Sequence, residues 1–484
     1  MGDIHLLLDT RGIQEYIFRA PKLKTVIGAS AIIKELNEEV ILKAVQNLLG
    51  TPDDFIVFNG GGNAQIMCPD QEKAEKLLES VKRFCDQRGI ILISAIAEDE
   101  ERARQIIRDK KRAIPSGSRR LLTPFDKPCT FCLSEPAFKL DGKDNKEICH
   151  TCDQKIKSSQ NKDIWKGDKF KEFGKFNQKF VLDFDELKSS DSMMAIIAMD
   201  GNRIGSKFEL SEKKKDFSIA LDEITREAVQ QTFSKHLPNI EATENKIFFR
   251  PLLLGGDDFK AIIDPKIAIE FVIDVCRAFS LKSQQRKEIF NGEQLTISAG
   301  IAVVHTKYPL WRAMELAEAL LDNAKKSSPD GNEARIDFEI MTESGIQDMD
   351  YILEHQRSSV DEIEENRFIL SRRPYEVSQL EALLNKASRL KSALARNQIR
   401  SLQDSLSGGL LKSNFHISRL LMRHGKFEDQ KPGSENESLK DILFEGNELW
   451  ERKQNTFKTD LLDLVILSEL MKKSDGGKIT SGTN

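Results

Sequence analysis

The 484-residue chain has no run of about 18 apolar residues, so it has no segment expected to cross a bilayer as a helix. Its start, Met1-Gly2-Asp3-Ile4-His5, has no basic region ahead of a long apolar stretch, and no secretory signal is expected. A strand-like segment follows Gly2 directly, which argues against myristoylation there. Charge of one sign is also missing: 73 Lys and Arg face 77 Asp and Glu, a formal charge of −4 that says nothing about a polyanionic partner. Cysteine is sparse at seven, and four of these fall in two C-x-x-C pairs. That spacing suits a metal site in a reducing, cytoplasmic compartment and excludes a disulfide scaffold.

What is present is a highly charged globular composition, 39% apolar and 31% charged. The length suggests roughly three or four domains. The most informative stretch is Leu252-Leu253-Leu254-Gly255-Gly256-Asp257-Asp258-Phe259-Lys260-Ala261-Ile262-Ile263. Two apolar runs flanking two glycines and two carboxylates predict a tight β-hairpin with charge at its tip. Gly255 and Gly256 permit positive φ and close approach of a bulky substrate. Asp257 and Asp258 repel each other unless a cation holds them, and hard oxygen ligands suit Mg2+ or Mn2+. By itself, the tetrapeptide is equally compatible with an ordinary surface hairpin.

The surrounding pattern repeats. A strand over residues 4–9 ends on Asp9; a helical stretch, a hairpin over 55–68, a helix over 70–88 and a strand over 90–97 follow. A strand over 195–200 ends on Asp200 and is followed by Gly201; a helix at about 216–236, the Gly-Gly-Asp-Asp hairpin, a helix over 265–288 and a strand over 295–304 come next. The predicted fold class is therefore α+β, with two ferredoxin-like units of β-α-β-β-α-β order. A right-handed crossover makes the first strand of such a unit parallel to the second, so Asp200 should face Asp257 and Asp258. Three carboxylates from two segments could hold two metal ions against a nucleoside triphosphate. The first unit keeps Asp9 but has Gly62-Asn63-Ala64 in place of the acidic pair, so it is predicted to be structural or nucleotide-accommodating and catalytically degenerate.

Between the units, Cys129 and Cys132 are separated by sixteen residues from Cys149 and Cys152. Four thiolates in tetrahedral reach predict a structural Zn2+ knuckle, with His150 as an alternative ligand and no open position for catalysis. Basic residues over 102–120, among them Arg104, Lys111, Arg119 and Arg120, and lysines over 155–179 form either solvated helix faces or a phosphate-backbone contact. The amphipathic helix over 309–326 ends on Lys325 and Lys326, placed either to approach nucleotide phosphates or to complement the helix dipole. Strand signals vanish after about residue 345, and a helical bundle with basic character is expected, a partner surface for RNA or helices or a plain cap. Residues 427–438 and 474–484 read as polar, mobile segments. The predicted domains are 1–112 for the degenerate first unit, 113–185 for the zinc-binding insertion, 186–344 for the catalytic unit and 345–484 for the helical domain.

This combination resembles the large polymerase-like subunit of type III CRISPR effector complexes over residues 1–425. Met199-Asp200-Gly201 with Gly255-Gly256-Asp257-Asp258 carry the likeness. Supporting matches are Gly12-Ile13-Gln14 with Tyr16-Ile17-Phe18, Ile297-Ser298-Ala299-Gly300, and Ala317-Glu318 through Ala324-Lys325. The resemblance implies two palm domains, and a second palm that joins ATP into cyclic oligoadenylates in antiviral defence when target RNA is bound. It implies Asp200, Asp257 and Asp258 as ligands of two Mg2+ or Mn2+ ions, Gly201, Gly255 and Gly256 as nucleotide-accommodating, and, through related GGDEF cyclases, Lys325 as a phosphate contact. Guide and target RNA and other effector subunits are the implied partners. Larger members carry an HD nuclease domain; this sequence has no His-Asp doublet, and no HD nuclease activity is expected. Two alternatives remain at this stage: a GGDEF-like cyclase making a cyclic dinucleotide, and a non-catalytic RNA-binding scaffold.

Overall fold

A computed structural model of the chain describes residues 4–19, 22–113, 122–141, 145–160, 165, 168–176, 179–181, 183, 192–240, 242–243, 246–341, 349–353, 357–360, 367–406, 409–425, 439–444 and 448–471. Gly2, Arg119, Arg120 and the segments 427–438 and 474–484 lie outside the described residues.

The first sheet is antiparallel with four strands in the spatial order Ile56–Gly60, Asn63–Cys68, Ile4–Thr10, Leu92–Ala97. Alternation sets its faces: Leu6 and Leu8 are buried, and their neighbours are partly exposed. The helix Gln71–Gln87 covers that face with Ala74, Leu77, Val81 and Cys85. Its first turn is fixed by Asp70, whose carboxylate accepts the Lys73 N–H at 2.8 Å.

The second sheet repeats the order. The hairpin strands Phe249–Gly255 and Asp258–Ile263 lie beside Met193–Gly201, which is followed by Ile297–His305. Two further strands extend it, Arg335–Ile340 parallel to Ile297–His305, and the short Tyr375–Glu376 at the edge. Met194 through Met199 are fully buried, as a central strand covered on both faces must be. The helix Leu310–Lys326 lies on Met193–Gly201 and Ile297–His305. It comes so close that a Cβ on Gly300 would stand 2.0 Å from the Ala317 carbonyl oxygen. The two units are joined directly: the Ser30 hydroxyl donates to the Leu252 carbonyl, and Lys214 meets Glu100 at 2.7 Å.

The insertion divides its packing between the units. Phe173 and Phe180 sit in the core of the second one, where Phe173 meets Phe233 edge-on at 5.2 Å and Phe233 meets Phe249 at 4.7 Å. The helix His150–Ser159 packs on Leu23–Glu35 of the first unit, and a Cβ on Gly28 would lie 1.6 Å from the Lys155 carbonyl oxygen. At the start of that helix the ligand atoms of Cys129, Cys132, Cys149 and Cys152 all lie within 4.8 Å of one another. Backbone N–H groups point at the sulfurs: Phe131 N–H donates to Cys129 Sγ at 3.4 Å and Cys152 N–H to Cys149 Sγ at 3.3 Å. His150 is turned away, its Nε2 at 3.1 Å from the Gln87 carbonyl oxygen. The donor set and its compactness fit tetrahedral Zn2+ with no open position.

The C-terminal part corrects one expectation. Besides the helices Val377–Ala393, Arg396–Leu406, Gly409–Gly425 and Leu461–Leu470, it contains a four-stranded sheet in the order Ser358–Val360, Arg367–Ile369, Thr456–Lys458, Glu451–Lys453. Each of these strands has three residues, too few for a two-residue alternation to register. Arg367 pairs with Thr456, a partner that local sequence does not announce.

Elemental analysis of the purified protein is expected to find about one zinc per chain, held by four sulfurs. Cys132→Ser with Cys149→Ser should release it and open the insertion to limited proteolysis beside Gly28. Zinc content unchanged by the double substitution would place the metal elsewhere.

Candidate functional site

The second sheet brings the predicted carboxylates to one edge. Asp200 is the penultimate residue of the central strand Met193–Gly201. Pairing of Phe259 with Met199 carries Asp258, one residue on, to the level of Asp200. The first and second strands of the unit do run parallel, yet the third lies between them, so Asp258 approaches Asp200 from the adjacent strand and Asp257 from the turn.

Glycines make the approach possible. A Cβ on Gly201 would lie 2.9 Å from Asp257 Oδ2 and 2.3 Å from Ile204 Cγ1, so only glycine lets Asp257 fold back onto the strand end. Gly256 has φ of +62°, left-handed backbone that a side chain rarely adopts. A Cβ on Gly255 or Gly256 would meet nothing within 4 Å, so this side of the turn is open to a ligand. Asp222 fixes the turn from below by accepting the Gly256 N–H at 3.2 Å.

Charge balance is supplied by two lysines. Lys325 forms an ion pair with Asp200 and donates to the Gly201 carbonyl at 3.0 Å. Lys260, with its side chain only 1% exposed, lies 3.6 Å from Asp258 and forms a closer ion pair with Glu318. Burial would depress the Lys260 ammonium, but the Asp258 and Glu318 carboxylates outweigh it and hold the ammonium above its ordinary value. Burial, then repulsion from Asp200 and Asp258, pushes the Asp257 carboxyl up to about 7. Burial also pushes Asp258 up to about 7 despite the opposing pull of Lys260. The Asp258 side chain keeps 29% exposure, and water tempers the shift without changing its direction. Asp258 Oδ1 has no hydrogen-bond partner among the described residues. An unpartnered carboxylate oxygen close to other acidic groups suits a hard divalent cation such as Mg2+ or Mn2+, although among the described residues only the four cysteines already hold three or more ligand atoms within 4.8 Å of one another, so the aspartates would have to draw together around the ion.

The structure thus brings together Asp200, Gly201, Gly255, Gly256, Asp257, Asp258 and Lys325. Lys326 is exposed at the helix end. Sequence inspection assigned no role to Lys260, Glu318 or Asp222. Two of them leave a signal: Lys260 is a charge in an apolar strand on the face of Asp258, and Glu318 precedes Lys325 by two helical turns on one face.

The equivalent edge of the first sheet is balanced differently. Asp9 meets Lys111 at 2.6 Å, and Asn63 stands where the second unit has an acid. This also accounts for part of the basic stretch: Arg104 meets Glu100 at 2.8 Å and Glu209 at 3.5 Å, and Lys110 donates to the Ser94 carbonyl at 2.6 Å. These groups serve the fold and its joint.

Comparison with known proteins follows the same geometry. Residues 193–334 match the family model described as Cas10/Cmr2, second palm domain. CRISPR system Cmr subunit Cmr2 of Pyrococcus furiosus is 29% identical over 181 residues, a match covering 33% of this chain and 20% of that protein. Csm1 of T. onnurineus superposes with a TM-score of 0.55 at 16% identity, covering 97% of this chain and 70% of that one. A chain of the Csm1–Csm4 cassette in complex with AMPPNP gives 0.54 at 15% identity, over 96% of this chain and 70% of that one. A cassette with cA3 gives the same figures. The chain is therefore similar to Cas10/Cmr2 proteins over residues 193–334, the stretch that matches their second palm domain, and it shares its fold with Csm1.

Proposed function

We propose that this chain is a metal-dependent nucleotidyltransferase that joins ATP into cyclic oligoadenylates in antiviral defence. The observation that carries this reading is the convergence of Asp200, Asp257 and Asp258 beside an open glycine turn. In this reading residues 1–112 are a degenerate palm, 113–185 the zinc-binding insertion, 186–344 the catalytic palm and 345–484 the C-terminal domain. Support comes from solved neighbours of the same fold whose cassettes carry AMPPNP and cA3.

Asp200, Asp257 and Asp258 would hold two Mg2+ or Mn2+ ions, which when bound supply Lewis-acid activation and charge neutralisation for attack of a 3′-hydroxyl on the α-phosphate of ATP. The new bond is the 3′-oxygen to α-phosphorus ester; the bond from the α-phosphorus to the bridging oxygen breaks, pyrophosphate leaves, and the hydroxyl proton passes to solvent. Gly255 and Gly256 leave the room in which the triphosphate rests against the turn. Gly201 keeps Asp257 turned onto the strand end. Lys325 is released from Asp200 when the site is loaded and turns to the phosphates, where its charge is needed. Guide and target RNA and a Csm4-like subunit are proposed partners, and the C-terminal basic residues a proposed contact surface for them.

Two outcomes check this reading. Asp257→Ala with Asp258→Ala is expected to abolish adenylate polymerisation, followed by mass analysis of products from ATP or GTP with Mg2+ or Mn2+ and candidate RNA, while the far-UV spectrum stays unchanged. Equal product from the variant would sink the assignment. The second concerns pH. Carboxyls raised to about 7 hold protons that the unfolded chain releases near 3.8, so their contribution to stability is lost as pH rises through that window. Without metal, Asp257→Asn with Asp258→Asn should therefore gain in thermal midpoint over the wild type at pH 8 and not at pH 4. Mg2+ should raise the wild-type midpoint most at pH 8, where ionised carboxylates await it, and should do little for the variant.

A further inference from the structure

Lys260 and Glu318 are not accounted for by the proposed metal centre. Lys260 lies two residues beyond Asp258 on the strand Asp258–Ile263, hence on the same face. Its aliphatic stem is in the core between sheet and helix, and its side chain is 1% exposed. From the other side the helix Leu310–Lys326 brings Glu318, 22% exposed at the side chain. The ammonium thus has two carboxylates within reach: it forms the closer ion pair with Glu318 Oε1, a contact of charge without hydrogen-bond geometry, and stays 3.6 Å from Asp258 Oδ2.

A buried ammonium with one carboxylate beside it closes to a charge-assisted contact of about 2.7–2.9 Å, because nothing else neutralises it. Lys260 does not close on Asp258: its 3.6 Å contact is to Oδ2, and the other oxygen, Oδ1, has no hydrogen-bond partner among the described residues. The difference is Glu318. We propose that Glu318 is a positioning residue that draws the Lys260 ammonium off Asp258 and so keeps Asp258 free to bind a metal ion. This rests on the assignment of Asp257 and Asp258 to the metal centre. The helix that carries Glu318 also carries Lys325, so one element presents the carboxylate that restrains Lys260 and the ammonium that neutralises Asp200. Gly300, against which that helix is pressed, sets their distance from the sheet.

The opposite behaviour of single and double variants separates this role from simple structural support. Mn2+ binding to the full chain, read by electron paramagnetic resonance of the free ion, is the measurement; it requires no turnover. Glu318→Gln leaves Lys260 with Asp258 alone and should weaken Mn2+ binding by about tenfold or more, the range typical of groups that act through a ligand. Glu318→Asp should lose less. Adding Lys260→Met to Glu318→Gln removes the ammonium and should return Mn2+ affinity toward the wild type. Lys260→Met alone should bind Mn2+ at least as tightly as the wild type, which keeps the idea testable should Glu318→Gln fail to fold. A double variant weaker than either single one would show that the pair only supports the fold, and would overturn the proposal. Asp257→Asn with Asp258→Asn is the control: wild-type Mn2+ binding that survives it would refute the metal centre itself, and a loss there with no effect of Glu318→Gln would refute the Glu318 role alone.

Discussion

Three aspartates cannot share one corner of a sheet without a cation, and most of the second palm is arranged around that electrostatic constraint. Asp200, Asp257 and Asp258 arrive from a strand end, a turn and an adjacent strand, and their repulsion adds to the cost of burial. The chain answers with Lys325 on Asp200 and Lys260 between Asp258 and Glu318. Neither lysine saturates the corner, since Asp258 keeps an oxygen without a partner. A site built in this way stays folded without metal and yet retains a demand for positive charge.

The two palms show two solutions to one geometry. Both have the same order over four shared strands and a glycine turn beside an aspartate that is the penultimate residue of the first strand. In the first, Asn63 replaces an acid and Lys111 reaches over to Asp9, so the corner is neutralised by the protein itself. The first palm is then free to serve as a platform, carrying the helix His150–Ser159 of the cysteine cluster on Gly28 and contacting Leu252 of the second palm through Ser30.

The C-terminal part is fastened to the second palm by a buried ionic seam. Arg357 meets Asp337 and Glu339 at 2.9 Å, and Arg373 meets Glu339 at 3.2 Å and Asp463 at 2.8 Å, all of them nearly inaccessible to water. Asp337 also accepts from Asn323 at 2.6 Å, on the helix that bears Glu318 and Lys325. Buried charges of this kind give the joint its geometry more than its strength, because each must be fully satisfied or not buried at all.

Local patterns carried much of this protein. The duplicated β-α-β-β-α-β order, the Gly-Gly-Asp-Asp turn and the cysteine pairs were legible because periodicity, turn chemistry and ligand spacing act within a few residues. So was the encounter of Asp200 with the hairpin, since a right-handed crossover leaves few places for it. The three-residue strands after residue 345 were not legible, nor was the pairing of Arg367 with Thr456, because such strands gain their hydrogen bonds only from distant partners. The destination of each charge was equally hidden. Lys111, Lys260 and Lys325 are alike in sequence, and which carboxylate each one meets depends on how closely Gly300 lets a helix approach a sheet and how a strand faces its neighbour. Sequence alone determined that three aspartates, a glycine turn and Lys325 belong to the candidate site; tertiary packing added Lys260, Glu318 and Asp222 and decided which charges are neutralised and which are left waiting for a cation, because Coulomb energy depends on distances and burial that no local pattern specifies.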